Sequence, residues 1–214
     1  MNAPAKPVPT ITAIATAVPP RDGHAAYRDW AMARIEDARE AALFARMVAR
    51  GGIARRHSVL DDGIEPGAFY APGAFPGTAA RMRAYARAAP ALALEAIAGL
   101  PDGGPITHLV TASCTGFMAP GLDQVLAQSL GLADDVERVF IGFMGCYAGV
   151  TALRTAAHIV RSDPAARVLV VSVELCSLHL QDTGNLASLL AMAQFADGAA
   201  AGIGAARIEP AFPF

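Results

Sequence analysis

The sequence predicts an α/β protein with a mainly parallel central sheet covered by helices. Short β-branched or apolar runs of strand length, such as 106–113 and 167–173, alternate along the chain with longer helical stretches. The run 167–173 is apolar at almost every position, which is typical of a strand covered on both faces. Alternation of strands and helices favours a layered structure built on a parallel sheet.

Each element is predicted from apolar periodicity and from its Gly and Pro boundaries. A Pro/Ala leader over 1–9 is expected to be mobile, residues 61–77 to form a loop, and 209–214 to add no further element. The predicted strands are 10–18, 106–113, 138–142, 167–173 and 199–208, and the predicted helices are 27–50, 78–100, 122–130, 150–160 and 186–195.

Composition narrows the class of protein. The chain has 214 residues, of which 54% are hydrophobic and 17% charged, so it can bury a sizeable core. Its net charge of −2, without a basic block, argues against nucleic-acid and membrane-surface partners. We see neither a signal peptide nor an apolar run long enough to span a bilayer. Three cysteines, an odd count at a spacing unsuited to zinc, indicate reduced thiols in a cytoplasm.

Cys146 lies at the most informative position of the chain. The apolar run 139–142 predicts the end of a buried strand, and 150–160 predicts a buried helix. Gly145 and Gly149 flank the cysteine and allow a backbone conformation that other residues resist. The positive end of the following helix favours a thiolate, which is the arrangement of an activated nucleophile. A small buried core cysteine is the alternative reading.

Two further groups of residues are candidates for a site. Cys114, Cys146 and Cys176 each follow a predicted strand end, and sites in open α/β sheets lie beyond the carboxyl ends of the strands, so the three cysteines could converge. Arg46 and Arg50 are four residues apart on one helix face, where they either clasp a phosphate or form a solvated surface.

Four segments resemble a known family. They are THLVTASCTGFMAPGLD (107–123), RVFIGFMGCYAG (138–149), ARVLVVSVELCSLHL (166–180) and FADGAAA (195–201). Through them the chain resembles the N-terminal half of a type III polyketide synthase, the chalcone synthase-like group of the thiolase fold. The CTGF stretch and Cys176 are similar to the bacterial, tetrahydroxynaphthalene synthase-like branch. The resemblance implies that 10–214 form an N-terminal thiolase-like domain whose C-terminal half is absent.

The resemblance also implies roles for individual residues. Cys146 matches the nucleophile that takes a starter acyl group from coenzyme A, and Phe195 matches an aromatic gatekeeper. Arg46 and Arg50 match cations that bind the CoA phosphates. The implied substrates are acyl-CoA and malonyl-CoA without a cofactor or metal, and the implied assembly is a homodimer in which 118–120 reaches the neighbouring cavity. The positions that match the wall of the substrate cavity are Cys114, Thr115, Phe143, Cys176, Leu178 and His179.

One part of the family pattern is missing. The family's catalytic His and Asn belong to its C-terminal half, and none of the five histidines here has the matching context. The chain is therefore a fragment, or is completed by another chain, or is not catalytic. A ketoacyl-ACP synthase III-like condensing enzyme and a non-catalytic partner subunit are the alternative functions. Half of a two-half fold would expose apolar surface, so we expect self-association.

Overall fold

The computed structural model describes residues 8–60, 68–71, 73 and 75–207, which form one five-stranded sheet, a two-stranded ribbon and six α-helices. Two 3-10 turns, Gly145–Tyr147 and Cys176–His179, follow strand ends. The strands are β1 (Val8–Ala17), β2 (Arg21–Asp22), β3 (His57–Ser58), β4 (His108–Ser113), β5 (Glu137–Gly142), β6 (Arg167–Leu175) and β7 (Asp197–Arg207). The helices are α1 (His24–Met32), α2 (Ala38–Arg50), α3 (Thr78–Ala98), α4 (Leu122–Ser129), α5 (Ala148–Ser162) and α6 (Leu186–Met192).

The central sheet has the strand order β1-β7-β6-β4-β5. β4 pairs in parallel with both β5 and β6, whereas β7 runs antiparallel to its neighbours β6 and β1. Four strands therefore point the same way and β7 alone is reversed. The parallel group, with its carboxyl ends side by side, is the part of the sheet from which the cysteine-bearing turns extend.

Helices cover both faces of β6, as its apolar sequence predicts. Leu169 and Val171 pack in one cluster with Leu92 of α3, and Val168 packs in a second cluster with Ala152 of α5. Alternate residues of a strand point to opposite faces, so this division follows directly from the pleat. A third cluster joins α1, α2 and α6 and contains fully buried side chains of all three helices.

The single helix expected over 27–50 is wrong, because two helices occupy this stretch. Asp37 caps the second helix: its carboxylate accepts from the backbone N–H of Arg39 at 2.8 Å and of Glu40 at 2.9 Å. An acid at the N-cap with Glu three residues later is a capping-box-like signal for a new helix start. Residues 33–37 therefore separate α1 from α2.

Two burial expectations also differ from the structure. β5 is an edge strand with a neighbour on one side only, so Val139 and Phe140 are each 39% exposed and Ile141 alone is buried. α5 is buried along one face, while Val150 and Leu153 on the other face are exposed. Both departures expose apolar side chains that the sequence pattern assigns to an interior.

The chain ends differ slightly from the predicted boundaries. β1 begins at Val8, because Val8 and Pro9 pair with the final residues of β7. Proline is tolerated there since β1 is an edge strand. The remainder of the expected leader, most of the loop expected over 61–77, and residues 208–214 lie outside the described residues. In the part of the chain that is described, no helix is both long and apolar enough to cross a membrane.

Candidate active site

The turn after β5 presents Cys146 to solvent. Phe143 and Gly145 both adopt left-handed backbone conformations, with φ of 58° and 62°, and Cys146 follows in the 3-10 turn that leads into α5. Gly145 thus has the turn role predicted for it, whereas Gly149 lies inside the first turn of α5 with no such conformation. A non-glycine residue such as Phe143 in this region is uncommon and costs energy, a feature that often marks functional turns.

The three cysteines lie together at the carboxyl ends of the parallel strands. Cys114 directly follows β4 and its thiol donates to the carbonyl of Gly145 at 3.4 Å, one residue before Cys146. Cys176 directly follows β6, the strand on the other side of β4. All three thiols are free. The convergence expected from the topology is therefore present.

A cavity of ≈ 360 Å³ adjoins this cluster. Of the eight cavity and nucleophile positions named from the sequence, five contribute to its wall: Cys114, Thr115, Cys176, His179 and Phe195. Phe195 is 48% exposed and stands at the α6–β7 junction. The rest of the wall comes from Arg21, Gly23, Ala26, Tyr27, Trp30, Arg56, His57, Ser58, Leu60, Tyr70, Ser177, Leu180 and Met192.

Cys146 is not among the residues that line this cavity, and it lies on the adjoining turn, one residue after the Gly145 carbonyl to which Cys114 donates. The remaining named residues lie elsewhere. Leu178 is fully buried in the core cluster beneath α3, and Phe143 is 69% exposed on the nucleophile turn. Arg46 and Arg50 are exposed on α2, and neither guanidinium has a hydrogen-bond or ion-pair partner within the described residues. Arg50 borders a separate cleft between α2 and α6.

Glu174 holds the cavity wall in register. Its two carboxylate oxygens accept from the Cys114 N–H at 3.0 and 3.1 Å, and Oε2 also accepts from Thr115 Oγ1 at 2.7 Å. Thr115 Oγ1 in turn accepts from the Leu175 N–H at 2.8 Å. His179 donates through Nε2 to the Thr115 carbonyl at 2.6 Å. These bonds lock the ends of β4 and β6 together beside the nucleophile turn.

A buried carboxylate lies behind Ser177, one of the residues of the cavity wall. Asp197, 3% exposed, accepts from the Val59 N–H at 2.8 Å and from the Ser177 N–H and hydroxyl at 2.7 and 2.5 Å. Burial raises the pKa of Asp197 against the opposing effect of these hydrogen bonds. Burial, reinforced by the nearby Glu174 and Asp197 carboxylates, raises the pKa of the Cys176 thiol to about 11. Cys176 is thus a neutral wall residue near neutral pH.

Sequence reasoning missed Arg56 and Asp197 as parts of the site. Arg56 is largely buried, and its guanidinium bonds to the backbone of a segment more than a hundred residues away, so local sequence carries no signal for it. Asp197 lies within the FADGAAA motif but no pairing pattern marks it. Across the described ranges, no group of three or more His, Cys, Asp or Glu residues has an arrangement that could hold a metal ion.

A free, exposed cysteine at a left-handed turn before a helix, next to the cavity-wall residue Cys114, defines a candidate nucleophile site on an α/β scaffold. Sequence comparison identifies the family: residues 3–207 match the profile described as "Chalcone and stilbene synthases, N-terminal domain". The chain belongs to this family of type III polyketide synthases.

Curated relatives agree with that assignment. The chain is 40% identical over 135 residues to "Alpha-pyrone synthesis polyketide synthase-like Pks18" of Mycobacterium tuberculosis, covering 60% of this chain and 34% of that protein. It is 37% identical over 172 residues to the 1,3,6,8-tetrahydroxynaphthalene synthase of Streptomyces peucetius subsp. caesius, covering 78% of this chain and 44% of that protein. The matched part thus spans less than half the length of either relative.

Solved structures confirm the thiolase-like fold. The type III polyketide synthase domain of Steely1 from Dictyostelium superposes with a TM-score of 0.77 at 30% identity over 96% of this chain and 58% of that one. PKS-I from the brown alga Ectocarpus siliculosus superposes with a TM-score of 0.80 at 26% identity over 99% of this chain and 60% of that one. The resemblance to the N-terminal part of the family is therefore confirmed.

Proposed function

We propose that Cys146 accepts an acyl group from an acyl-CoA thioester, as the first step of type III polyketide synthase chemistry. The thiolate attacks the thioester carbonyl, the carbon–sulfur bond to coenzyme A breaks, and CoA leaves as its thiolate. The observation that carries the proposal is the exposed thiol on the turn before α5, beside the ≈ 360 Å³ cavity. Sulfur is intrinsically nucleophilic and the product thioester stays reactive, so the step suits a cysteine.

The condensation step extends this proposal to malonyl-CoA. Loss of CO₂ from malonyl-CoA leaves an enolate, which attacks the Cys146 thioester, forms a carbon–carbon bond and releases the thiolate. The developing negative charge needs fixed hydrogen-bond donors. The resemblance assigns them to a His and an Asn of the C-terminal half, so the chain described here supplies the nucleophile and one side of the cavity. The condensation step therefore requires those donors from the remainder of a longer chain or from a partner.

The test of acyl loading is a mass measurement. The chain is incubated with hexanoyl-CoA, and the modified residue is located by peptide mapping. We expect one hexanoyl group on Cys146, none in Cys146→Ala, and an undiminished adduct in Cys176→Ser, the matched control for a neighbouring thiol. Labelling at Cys114 or Cys176 instead, or no adduct in the unchanged chain, would refute the proposal.

We propose further that Arg46 and Arg50 bind the phosphates of coenzyme A. Both are exposed, share one face of α2 and have no competing partner within the described residues, which supports the assignment. Replacing both by Ala should raise the acyl-CoA concentration needed for loading but leave loading from a short thioester without the nucleotide unchanged. Arg39→Ala on the same helix is the matched control. Equal losses with both thioesters would contradict phosphate binding.

Assembly as a homodimer is also proposed. Within the described residues, edge strand β5 pairs with a strand on one side only and exposes Val139 and Phe140, features that favour pairing with another copy. Phe140→Lys should shift the sedimentation profile toward the monomer without unfolding the chain, whereas an unchanged profile would exclude this edge as the contact. Three free thiols suit a reducing compartment, and we propose a cytoplasmic location on that ground.

A further inference from the structure

The main chain between α6 and β7 is held at the cavity by one side chain from a distant part of the sequence. Arg56 donates through Nε to the Phe195 carbonyl at 2.7 Å and through Nη2 to the Met192 carbonyl at 2.6 Å. Phe195, Met192 and Arg56 all line the cavity. Phe195 is 48% exposed, so packing alone fixes its ring weakly.

Arg56 is itself held on three sides. Its backbone N–H donates to Asp22 at 3.0 Å, its carbonyl accepts from the Gly23 N–H at 2.9 Å, and its guanidinium lies 4.5 Å from the centre of the Tyr27 ring. Tyr27 donates its hydroxyl to the Leu189 carbonyl of α6 at 2.6 Å. Tyr27 and Arg56 contact each other, and together they hold α6 and the segment that follows it.

The chemistry of this contact calls for arginine. Two carbonyls three residues apart receive neighbouring N–H groups from one planar guanidinium, a geometry that a single ammonium cannot reproduce. Bonds from a charged donor are roughly twice as strong as neutral ones. Burial lowers the pKa of Arg56, because the guanidinium loses part of its hydration where it makes these contacts.

We infer that Arg56 is a positioning residue that sets the Phe195 ring at the cavity and thereby determines which acyl chains reach Cys146. This inference rests on the proposed acyl loading of Cys146. An acetyl group is too short to fill the cavity, so its loading depends little on the position of the Phe195 ring. A long acyl chain that occupies the cavity contacts the wall to which Phe195 and Met192 belong, so its loading rate depends on where Arg56 holds that segment.

The experiment compares loading of acetyl-CoA and decanoyl-CoA on Cys146 in the unchanged chain and in R56K and R56Q. The unchanged chain should discriminate between the two thioesters. In R56Q the ratio of the two loading rates should be about tenfold smaller than in the unchanged chain, the equivalent of one charge-assisted hydrogen bond. In R56K the ratio should lie between those of the unchanged chain and R56Q. R55Q is the matched control, because Arg55 is exposed and its side chain has no partner in the described part of the chain. A merely structural role would lower both loading rates alike and leave their ratio unchanged.

A second readout separates this inference from the proposed function. Hydrogen exchange of the amides in 193–197 should be faster in R56K and R56Q than in the unchanged chain or in R55Q. If the unchanged chain takes no acyl group, acyl loading fails as a function, and the exchange data still decide whether Arg56 holds the segment. If loading occurs but the acetyl-to-decanoyl ratio is the same in all variants that fold, or if the unchanged chain does not discriminate, the inference is overturned. R56K keeps the charge and provides the decisive comparison should R56Q unfold.

Discussion

Gly116 follows the end of β4 and packs against Tyr85 of α3. Adding a single methyl group at this position tests that packing. A Cβ atom at this position would lie 2.2, 2.4 and 2.6 Å from three ring carbons of Tyr85. The Tyr85 ring is fully buried, and its hydroxyl donates to Ser113 Oγ at 2.7 Å. Gly116→Ala therefore forces a rigid aromatic ring, rather than a flexible chain end, to move.

The expected cost follows from that geometry. Carbon atoms at optimal contact are about 3.5–4.0 Å apart, so the ring or the backbone must shift by more than about 1 Å. Overpacking of a core typically costs about 1–3 kcal/mol, and losing a buried hydrogen bond adds about 1 kcal/mol. We expect Gly116→Ala to lower the free energy of unfolding by about 2–4 kcal/mol.

Urea unfolding followed by far-UV circular dichroism measures the change. The midpoint should fall while the dependence on urea stays the same, which assigns the effect to the folded state. Gly149→Ala is the matched control: its Cβ meets only Ser172 Oγ, at 3.8 Å, and alanine is favoured in a helix, so stability should rise by up to about 1 kcal/mol. A Gly116→Ala chain as stable as the unchanged one would show that Tyr85 is not held as described.

Three further predictions concern titration, thiol reactivity and association. Burial raises the pKa of Tyr85 to about 12 from 10.0, so its stability contribution is complete below pH 10 and is lost as pH rises through 12; Tyr85→Phe should flatten this part of a plot of urea midpoint against pH. Iodoacetamide should label exposed Cys146 well before Cys176, whose pKa burial raises to about 11, and equal labelling rates in peptide mapping would contradict this. Ile14, which is 67% exposed, and Leu153 border one apolar groove, so the chain should self-associate in a sedimentation experiment. Ile14→Lys should weaken that association, and a monomer in the unchanged chain would contradict the expectation.

Local sequence predicted the parallel core of the fold well, because there the signal and the cause coincide. The apolar run of β6 is covered by α3 and α5, and Gly145 has the left-handed conformation for which a glycine was expected. The same reasoning failed for β5, whose apolar residues look buried but lie at a sheet edge. An apolar segment predicts that its side chains are covered, but it does not tell whether the described part of the chain is what covers them.

The sequence predicted those site residues that lie in motifs at strand ends. It did not predict those that join the site through contacts between distant segments. Cys146, Cys114 and Cys176 follow strand ends, and parallel strands bring such ends together whatever the intervening residues. Arg56 contacts Phe195 through a backbone carbonyl, so no residue type at the receiving end signals the pair. Leu178 illustrates the opposite case: it lies between wall residues in sequence, yet it points into the core and is fully buried.

Adjacent positions in the wall differ in how freely they can change. At Cys114, Glu174 accepts from the main-chain N–H, so replacing the side chain keeps that contact and removes only the thiol bond to the Gly145 carbonyl. At Thr115 the hydroxyl itself bonds to Glu174 and Leu175, so a substitution that removes the hydroxyl breaks both contacts. Substitution at position 114 can therefore change the cavity wall while the Glu174 contacts to the main chain stay in place, whereas loss of the Thr115 hydroxyl removes one of the contacts that Glu174 makes.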